Sequence, residues 1–266
     1  RFRAQYGIMG GFGGKQVVRF QNLDDLRRRM ATLTYQASRD LLDLPPALHH
    51  DMSCELSTKA RRAYEEMDSE LRCDVGDGEI TAANAMVRLL RLQQITSGFV
   101  RIGDDDEMTQ VDDSKQRALE DLLLDLPVDE PVVVFGRFKS DLQAAHTAAA
   151  KIKRKSLELS GSRRELERWQ DGEAPILAVQ IQSGGTGIDL TRAAYCVYMS
   201  TGYSLGDYEQ SLARTHRPGQ ERTVHYYHMI AKDTYDENVA RGLKARKNLV
   251  ESVLHDIAGA LETPVA

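Results

Sequence analysis

The sequence predicts an α/β fold in which helices cover both faces of a parallel sheet, preceded by a mostly helical region. From residue 114 onward, five short apolar runs alternate with amphipathic helical patterns. This alternation is the β-α-β-α rhythm of a parallel sheet. Before residue 110 helical patterns predominate. We therefore expect a linking region over 1–110, a sheet domain over 111–256 and a tail over 257–266.

The N-terminal region contains three helical stretches. They span residues 22–44 with Asn22 as the cap, 57–72 with Ser57 as the cap, and 87–95. An acidic run follows, Asp104–Glu107 with Asp112 and Asp113, and it is predicted to be a solvated loop because acidic runs without a preceding apolar strand rarely hold metal.

The C-terminal region supplies the sheet. Its strands are predicted at residues 132–135, 157–159, 176–181, 195–199 and 224–230. Helices are predicted over 115–126, 139–153, 163–170, 205–217 and 233–256. Ligands of such sheets bind at the carboxyl ends of the strands, which directs attention to the segments that follow them.

Composition excludes several classes of protein. The 266 residues are 41% hydrophobic and 28% charged, as in an ordinary globular domain, and the net charge of -5 gives no global attraction to nucleic acid. Three widely spaced cysteines without a C-x-x-C pattern indicate free thiols rather than zinc. No apolar run or signal-peptide pattern predicts membrane insertion or secretion. A first residue other than Met suggests a piece cut from a longer protein.

The run from Gln210 to Gln220 carries the strongest chemical signal. Its residues Gln210, Arg214 and Arg217 stand at i, i+4 and i+7, which on one helix forms a single stripe. Pro218 disfavours helical geometry at Arg217, which is therefore expected at the exposed end of the helix. Two fixed guanidiniums suit phosphate and the charge that develops during phosphoryl transfer. The alternative is a surface helix with solvated arginines.

A glycine-rich segment, Gln182–Leu190, follows the third strand directly. Glycines at such a position let the backbone approach a phosphate and present amide donors. The alternative is a tight connection between a strand and a helix.

Two other segments resemble nucleotide-binding motifs but do not match them fully. Gly10–Lys15 lacks the Gly and the Ser or Thr that a P-loop requires and is predicted to be a flexible turn. Leu122–Glu130 imitates a strand that ends in a magnesium-binding pair, but it continues a helical period and is predicted to be a helix end and a turn. The chain therefore has neither a P-loop lysine nor a magnesium carboxylate. His216, His225 and His228 are expected in core or surface roles rather than at a metal, and Trp169 in the core.

Taken together, these motifs resemble the second RecA-like lobe of superfamily-two helicases, specifically the Swi/Snf-type translocases of double-stranded DNA. Phe135–Phe138 is similar to motif IV, Leu159–Gly161 to the motif after the next strand, Ser183–Leu190 to motif V, and Gln210–Gln220 to motif VI. Upstream, Leu44, Pro45, Tyr64 and Leu92–Gly98 resemble the stretch between the two motor lobes, and Thr234–Glu237 resembles the C-terminal brace. The resemblance thus implies that residues 1–110 are the tail of the first motor lobe and the helical linker between the lobes, and that 111–256 are the C-terminal lobe with its brace helix.

The resemblance implies a division of labour between two lobes. ATP and Mg²⁺ would sit on an N-terminal RecA-like lobe of the same parent chain, and this chain would add Arg214 and Arg217 as arginine fingers with Gln210 positioning water or phosphate. The residues that would join the nucleotide to the DNA track are Gly185, Thr186, Gly187, Asp189 and Gln220. Those that would contact the backbone of double-stranded DNA are Phe138, Lys139, Ser160, Gly161, Ser183, Gly184 and Tyr203. This fragment alone is expected neither to hydrolyse ATP nor to bind it tightly.

The segment before the arginine helix departs from the family pattern. Most members carry Trp-Asn-Pro where this chain has Tyr203–Leu205, which leaves the aromatic role to Tyr203. A non-catalytic DNA-binding or protein-docking module and an RNA-directed helicase are the other functions considered. The compact chain is similar to bacterial or phage members, for which the location would be cytoplasmic, or nuclear in a eukaryote.

Overall fold

The computed structural model describes residues 2–10, 16–31, 42–76, 82–101, 108–183 and 187–245. The chain divides into two compact units. One comprises residues 1–42 and 245–266, and the other comprises residues 43–244.

The first unit contains a short helix α1 (Phe2–Tyr6), strands β1 (Gly7–Gly10) and β2 (Gln16–Phe20), and helix α2 (Leu23–Ala31). The two strands pair antiparallel. The Tyr6 hydroxyl donates to Asp25 of α2 at 2.8 Å. Most of the glycine-rich segment that imitates a P-loop, 11–15, lies outside the described residues.

The second unit begins with β3 (Ala47–Cys54), α3 (Thr58–Gly76), α4 (Ala82–Thr96), β4 (Phe99–Arg101) and β5 (Met108–Gln110). The predicted cap of α3 is confirmed, because Ser57 Oγ accepts from the Ala60 amide at 3.3 Å.

Part of the prediction of a solvated acidic loop is wrong. Asp112 is buried, and it accepts from the Ser57 amide at 2.8 Å and from the amide and hydroxyl of Ser114. The carboxylate therefore joins the start of α3 to the start of the next helix. Residues 102–107 lie outside the described residues.

The remaining elements alternate as the sequence predicts. They are α5 (Ser114–Asp125), β6 (Val132–Gly136), α6 (Lys139–Lys151), β7 (Ser156–Leu159), α7 (Leu166–Gln170), β8 (Ile176–Gln180), β9 (Tyr195–Tyr198), α8 (Leu205–Thr215), β10 (Val224–Ala231) and α9 (235–245). Within the segment Leu122–Glu130, α5 ends at Asp125 and a turn follows, as predicted.

Six parallel strands form the central sheet in the order β3-β10-β9-β6-β8-β7. Five of them are the predicted strands. The sixth, β3, lies on the N-terminal side of the boundary expected near residue 110. Its run Leu48-His-His-Asp51 is polar because β3 is an edge strand and exposes much of its surface, so it lacks the apolar pattern of an inner strand.

Helices cover both faces of this sheet, which confirms the predicted fold class. Apolar side chains of α5 and α6 pack on one face, against Val132, Val134 and Ile176. On the other face, α7 and α8 pack against Val133 and Phe135. Trp169 of α7 is fully buried there, as predicted. Among the described residues, no helix is both long and apolar enough to cross a membrane.

Candidate functional site

Helix α8 begins and ends where its sequence dictates. The Ser204 hydroxyl accepts from the Asp207 amide at 3.2 Å and caps the first turn. The helix ends at Thr215, because Pro218 disfavours helical geometry in the preceding residue. Gly219 then takes a positive φ of 102°, a conformation that glycine adopts without strain.

Buried hydrogen bonds hold α8 against the sheet. The Tyr226 hydroxyl on β10 donates to the Leu212 carbonyl at 2.9 Å. The Tyr198 hydroxyl on β9 lies 2.7 Å from Ser211 Oγ. Both tyrosines are 1% exposed, so water does not compete for these bonds. They fix the rotation of the helix, and with it the direction of its outer face.

That outer face carries only two of the three residues of the predicted stripe. Gln210 is exposed and Arg214 is half-buried, whereas the inner face buries Ser211 and Thr215. The expectation for Arg217 is wrong in two respects. It lies two residues beyond the end of α8, and it is half-buried rather than exposed. Pro218 restricts the backbone of Arg217 and ends the helix early, and the contact of the guanidinium with the Ile188 carbonyl accounts for its partial burial.

Both arginines bond to the C-terminal end of the glycine-rich segment. The Arg214 carbonyl accepts from the Leu190 amide at 3.0 Å. Arg217 Nη1 donates to the Ile188 carbonyl at 3.3 Å. Burial opposes ionisation of Asp189, but two hydrogen bonds from Thr191 and the charge of Arg217 outweigh it and lower the Asp189 pKa. The segments similar to motifs V and VI are thus joined directly.

The buried side chain of Gln220 also connects the end of α8 to the residues that follow the glycine-rich segment. It is 6% exposed, and its amide nitrogen lies within hydrogen-bonding distance of the carbonyls of Thr191, Ala193 and Thr215. Its oxygen accepts from the Arg222 amide at 3.0 Å. A side chain engaged in this way is suited to coupling the segments but not to direct contact with a nucleotide.

The segment after β6 is shaped by a buried aspartate. Asp141 Oδ2 accepts from the amides of Arg137 at 3.0 Å and Phe138 at 2.9 Å. A β-carbon at Gly136 would lie 2.5 Å from the Asp141 β-carbon, which explains the glycine. Burial raises the pKa of Asp141. Phe138 and Lys139 follow β6 closely and therefore lie at the carboxyl edge of the sheet, where Phe138 is half-buried and Lys139 is exposed.

A second segment of this edge follows β9 and is tied to the first. The Ser200 hydroxyl donates to Asp141, and Lys115 Nζ donates to the Met199 carbonyl at 3.0 Å. The segment leads to Tyr203, which is half-buried and whose pKa is raised by burial.

The loop after β7 places Ser160 differently from the DNA contact expected of it. Ser160 is 5% exposed, its hydroxyl donates to Glu158 at 2.6 Å, and its oxygen accepts from the amides of Ser162 and Arg163 at 3.2 Å. The side chain therefore shapes the loop, and Gly161 lies exposed at its tip.

Some predicted site residues lie outside the described residues. These are Gly184, Gly185 and Thr186. Ser183 belongs to a short turn of 3₁₀ helix after β8, and Gly187 has a positive φ of 103°.

The histidines weighed as metal ligands serve other contacts. His225 and His228 of β10 stack with His50 and His49 of β3, with ring nitrogens 3.1 and 3.3 Å apart. Burial and the neighbouring His49 lower the pKa of His228 to about 3. His216 lies 2.7 Å from a backbone carbonyl. Within the described ranges, no three His, Cys, Asp or Glu side chains are placed to hold a metal ion.

Sequence reasoning missed the residues that position this site. Asp141, Tyr198 and Tyr226 are buried polar residues, and no local pattern distinguishes them from other core positions. The signal that could have found the first is the spacing Gly136-x₄-Asp141, in which a carboxylate follows a strand end at capping distance.

The donors of the candidate site are guanidiniums, an ammonium and backbone amides. Such donors suit phosphate oxygens, whereas Mg²⁺ requires carboxylate or carbonyl ligands. A parallel sheet covered by helices, with two arginines joined to a glycine-rich segment, agrees with the helicase-type lobe that the sequence predicts. Residues 114–219 match the helicase conserved C-terminal domain. The expected resemblance to Swi/Snf-type superfamily-two proteins is confirmed.

Known proteins similar to this chain include a phage protein and a bacterial helicase. Protein p41 of Acyrthosiphon pisum secondary endosymbiont phage 1 is 30% identical over 229 residues, which cover 84% of this chain and 48% of p41. An ATP-dependent helicase of Mycoplasma genitalium is 24% identical over 80% of this chain and 21% of its own length. The chain thus spans half or less of these relatives.

Two solved structures share the fold. The C-terminal part of the Fun30 ATPase domain aligns with a TM-score of 0.58 at 19% identity, over 75% of this chain and 90% of that one. The Sulfolobus solfataricus SWI2/SNF2 ATPase core in complex with double-stranded DNA aligns with a TM-score of 0.59 at 17% identity, over 93% of this chain and 54% of that one.

Proposed function

We propose that this chain is the C-terminal motor lobe of an ATP-dependent translocase of double-stranded DNA. The observation that carries the proposal is the direct connection between the arginine-bearing helix and the glycine-rich segment, through Arg214 with Leu190 and Arg217 with Ile188. A docking surface has no need of two arginines fixed beside such a segment. The ATPase and DNA named for the Sulfolobus relative support the choice of substrates.

In this proposal Arg214 and Arg217 close over the γ-phosphate of an ATP held by an N-terminal RecA-like lobe of the parent chain. Their charge stabilises the negative charge that develops on the transferred phosphoryl group. Gln210, exposed on the same face of α8, orients the attacking water or the phosphate. Mg²⁺ is held by the other lobe, since the guanidiniums, ammonium and amides of this site are donors and Mg²⁺ requires oxygen ligands.

Coupling to DNA follows from the backbone connections. When the lobes close and α8 shifts, the hydrogen bond between the Arg214 carbonyl and the Leu190 amide moves residues 187–190 with the helix. Gln220 bonds to the end of α8 and to the residues just after this segment, and holds their relative position. Gly185, Thr186, Gly187 and Asp189 belong to this coupling segment in our proposal.

Duplex DNA is gripped through its phosphates in this proposal, which suits a motor that moves regardless of sequence. The exposed Lys139 supplies a charge, and Phe138 and Tyr203 supply aromatic surface. Gly161 supplies an exposed amide, and Ser160 holds the loop that presents it. Ser183 and Gly184 complete the proposed track.

The test is the ATP turnover of the complete parent polypeptide with duplex DNA, comparing native protein with Arg217→Ala, with nucleotide binding measured in parallel. We expect unchanged ATP binding and a turnover lowered about a thousandfold. Unchanged turnover would instead favour a non-catalytic docking module.

Two further measurements sharpen the assignment. Stimulation by duplex DNA, single strands and RNA distinguishes a DNA translocase from an RNA-directed helicase. The isolated chain should show no turnover, because the residues that hold ATP and Mg²⁺ belong to the other lobe. Turnover by the isolated chain that Arg217→Ala abolishes would contradict the proposed division.

A further inference from the structure

Arg137 has an arrangement that the proposed DNA track does not use. It is half-buried at the carboxyl edge of the sheet, directly after β6. Its Nη1 donates to Gln93 Oε1 of α4, and Gln93 Nε2 donates to the Thr201 carbonyl at 3.3 Å. Gln93 is 3% exposed, so its amide is held by its surroundings. Because Gln93 is uncharged, it orients the Arg137 guanidinium and leaves its positive charge uncompensated.

The charge of Arg137 contrasts with that of other arginines in the same unit. Arg163, Arg168 and Arg222 each form ion pairs with glutamates. Within the described part of the chain, no carboxylate lies within the 4.0 Å of an ion pair with Arg137. The neighbouring Asp141 is committed to backbone amides and Ser200.

The guanidinium lines a cleft at the sheet edge. The opposite wall is formed by the segment after β9 and the start of α8, with Thr201, Gly202, Ser204 and Asp207. A β-carbon at Gly202 would lie 3.9 Å from Arg137 Nε, so this segment runs beside the guanidinium. The N-terminal end of α8 adds a partial positive charge at the same cleft, which the carboxylate of Asp207 offsets.

We propose that Arg137 binds a backbone phosphate of duplex DNA in this cleft, with Gln93 as its positioning residue. The inference rests on the proposed function and adds a contact to the track described above. A guanidinium matches phosphate geometry with a planar fork of donors and stays charged at any physiological pH. Its half-burial strengthens the attraction, because less water screens the charge.

The experiment measures the affinity of the complete parent polypeptide for a duplex of mixed sequence by fluorescence anisotropy, across a salt series. Arg137→Gln should weaken binding roughly tenfold at about 0.1 M salt and reduce the slope of log K against log salt by about one, the signature of one lost phosphate contact. Arg137→Lys should retain the slope, since the charge remains.

The matched control is Arg222→Gln, which removes the same charge just before β10, at the opposite edge of the sheet, where Arg222 pairs with Glu130 at 2.8 Å. Its salt slope should equal that of the native protein. Thermal unfolding of each variant, measured beside binding, separates a lost contact from a misfolded lobe.

Gln93→Glu tests the inference with Arg137 in place. The new carboxylate would pair with the guanidinium and compete with phosphate, so the slope should fall by about one again. Unchanged slopes in both Arg137→Gln and Gln93→Glu would overturn the proposed contact while DNA binding by the native parent still supports the motor. A native parent that does not bind duplex DNA would overturn the proposed function itself, and this contact with it.

Discussion

The carbonyl of Arg214 accepts a hydrogen bond from the amide of Leu190 at 3.0 Å, so the helix that carries Arg214 and the end of the glycine-rich segment share a backbone contact. Arg217 adds a side-chain bond to Ile188 at 3.3 Å. The proposed coupling of a nucleotide to a DNA track requires a connection of this kind.

Arg217→Lys should fail to restore the turnover of the parent protein. Arg217 uses one nitrogen for Ile188, and the planar guanidinium has further donors for a phosphate, whereas the lysine ammonium is a single point donor. We expect steady-state ATP turnover at least about tenfold below native, with ATP binding retained. Native-like turnover in Arg217→Lys would show that charge alone suffices.

Tyr226→Phe should destabilise this lobe by about 1–2 kcal/mol, because the buried Leu212 carbonyl loses its donor from β10. Urea unfolding of the chain measures the difference. Tyr195→Phe is the matched control on the neighbouring strand, since Tyr195 is half-buried and its hydroxyl makes no hydrogen bond to a described residue. Equal losses in the two variants would contradict a specific role for Tyr226.

Gly136→Ala and Gly242→Ala should shift stability in opposite directions. At Gly136 the new methyl group would lie 2.5 Å from the Asp141 β-carbon, and we expect a loss of about 1–3 kcal/mol. At Gly242 in α9 nothing lies within 4 Å, and alanine should stabilise the helix by about 0.5–1 kcal/mol. Denaturant midpoints of the two variants on opposite sides of native would confirm both.

Asp112 should contribute stability that is lost in acid. Burial opposes its ionisation, but hydrogen bonds from Ser114 and Ser57 lower its pKa below the ordinary 3.8. The contribution is thus present above the unfolded value of 3.8 and disappears as the pH falls through the lower folded value.

The stability of native protein should therefore decline below about pH 4 more steeply than that of Asp112→Asn. Urea unfolding at about pH 6 and pH 3 measures both slopes. Asp113→Asn is the adjacent control, and it should decline as the native protein does, because Asp113 forms only an exposed ion pair with Arg117. Parallel curves for native and Asp112→Asn would rule out the proposed role.

Periodicity determined most of the fold. Val132–Gly136 and Ile176–Gln180 are inner strands buried on both faces, so their apolar runs are continuous and recognisable. Strand β3 escaped detection because an edge strand keeps polar residues such as His49 and Asp51 on its exposed surface.

The sequence by itself determined the parallel sheet and the resemblance to Swi/Snf-type helicases, and it supplied the prediction of the phosphate-facing residues, because these depend on local periodicity and on short motifs. Only the tertiary structure decided that Arg217 bonds to Ile188, that Ser160 and Gln220 turn inward, and that Gln93 orients Arg137 from 44 positions away. Hydrogen bonds between residues so distant in the chain depend on packing, and packing leaves no periodic trace in the order of the residues.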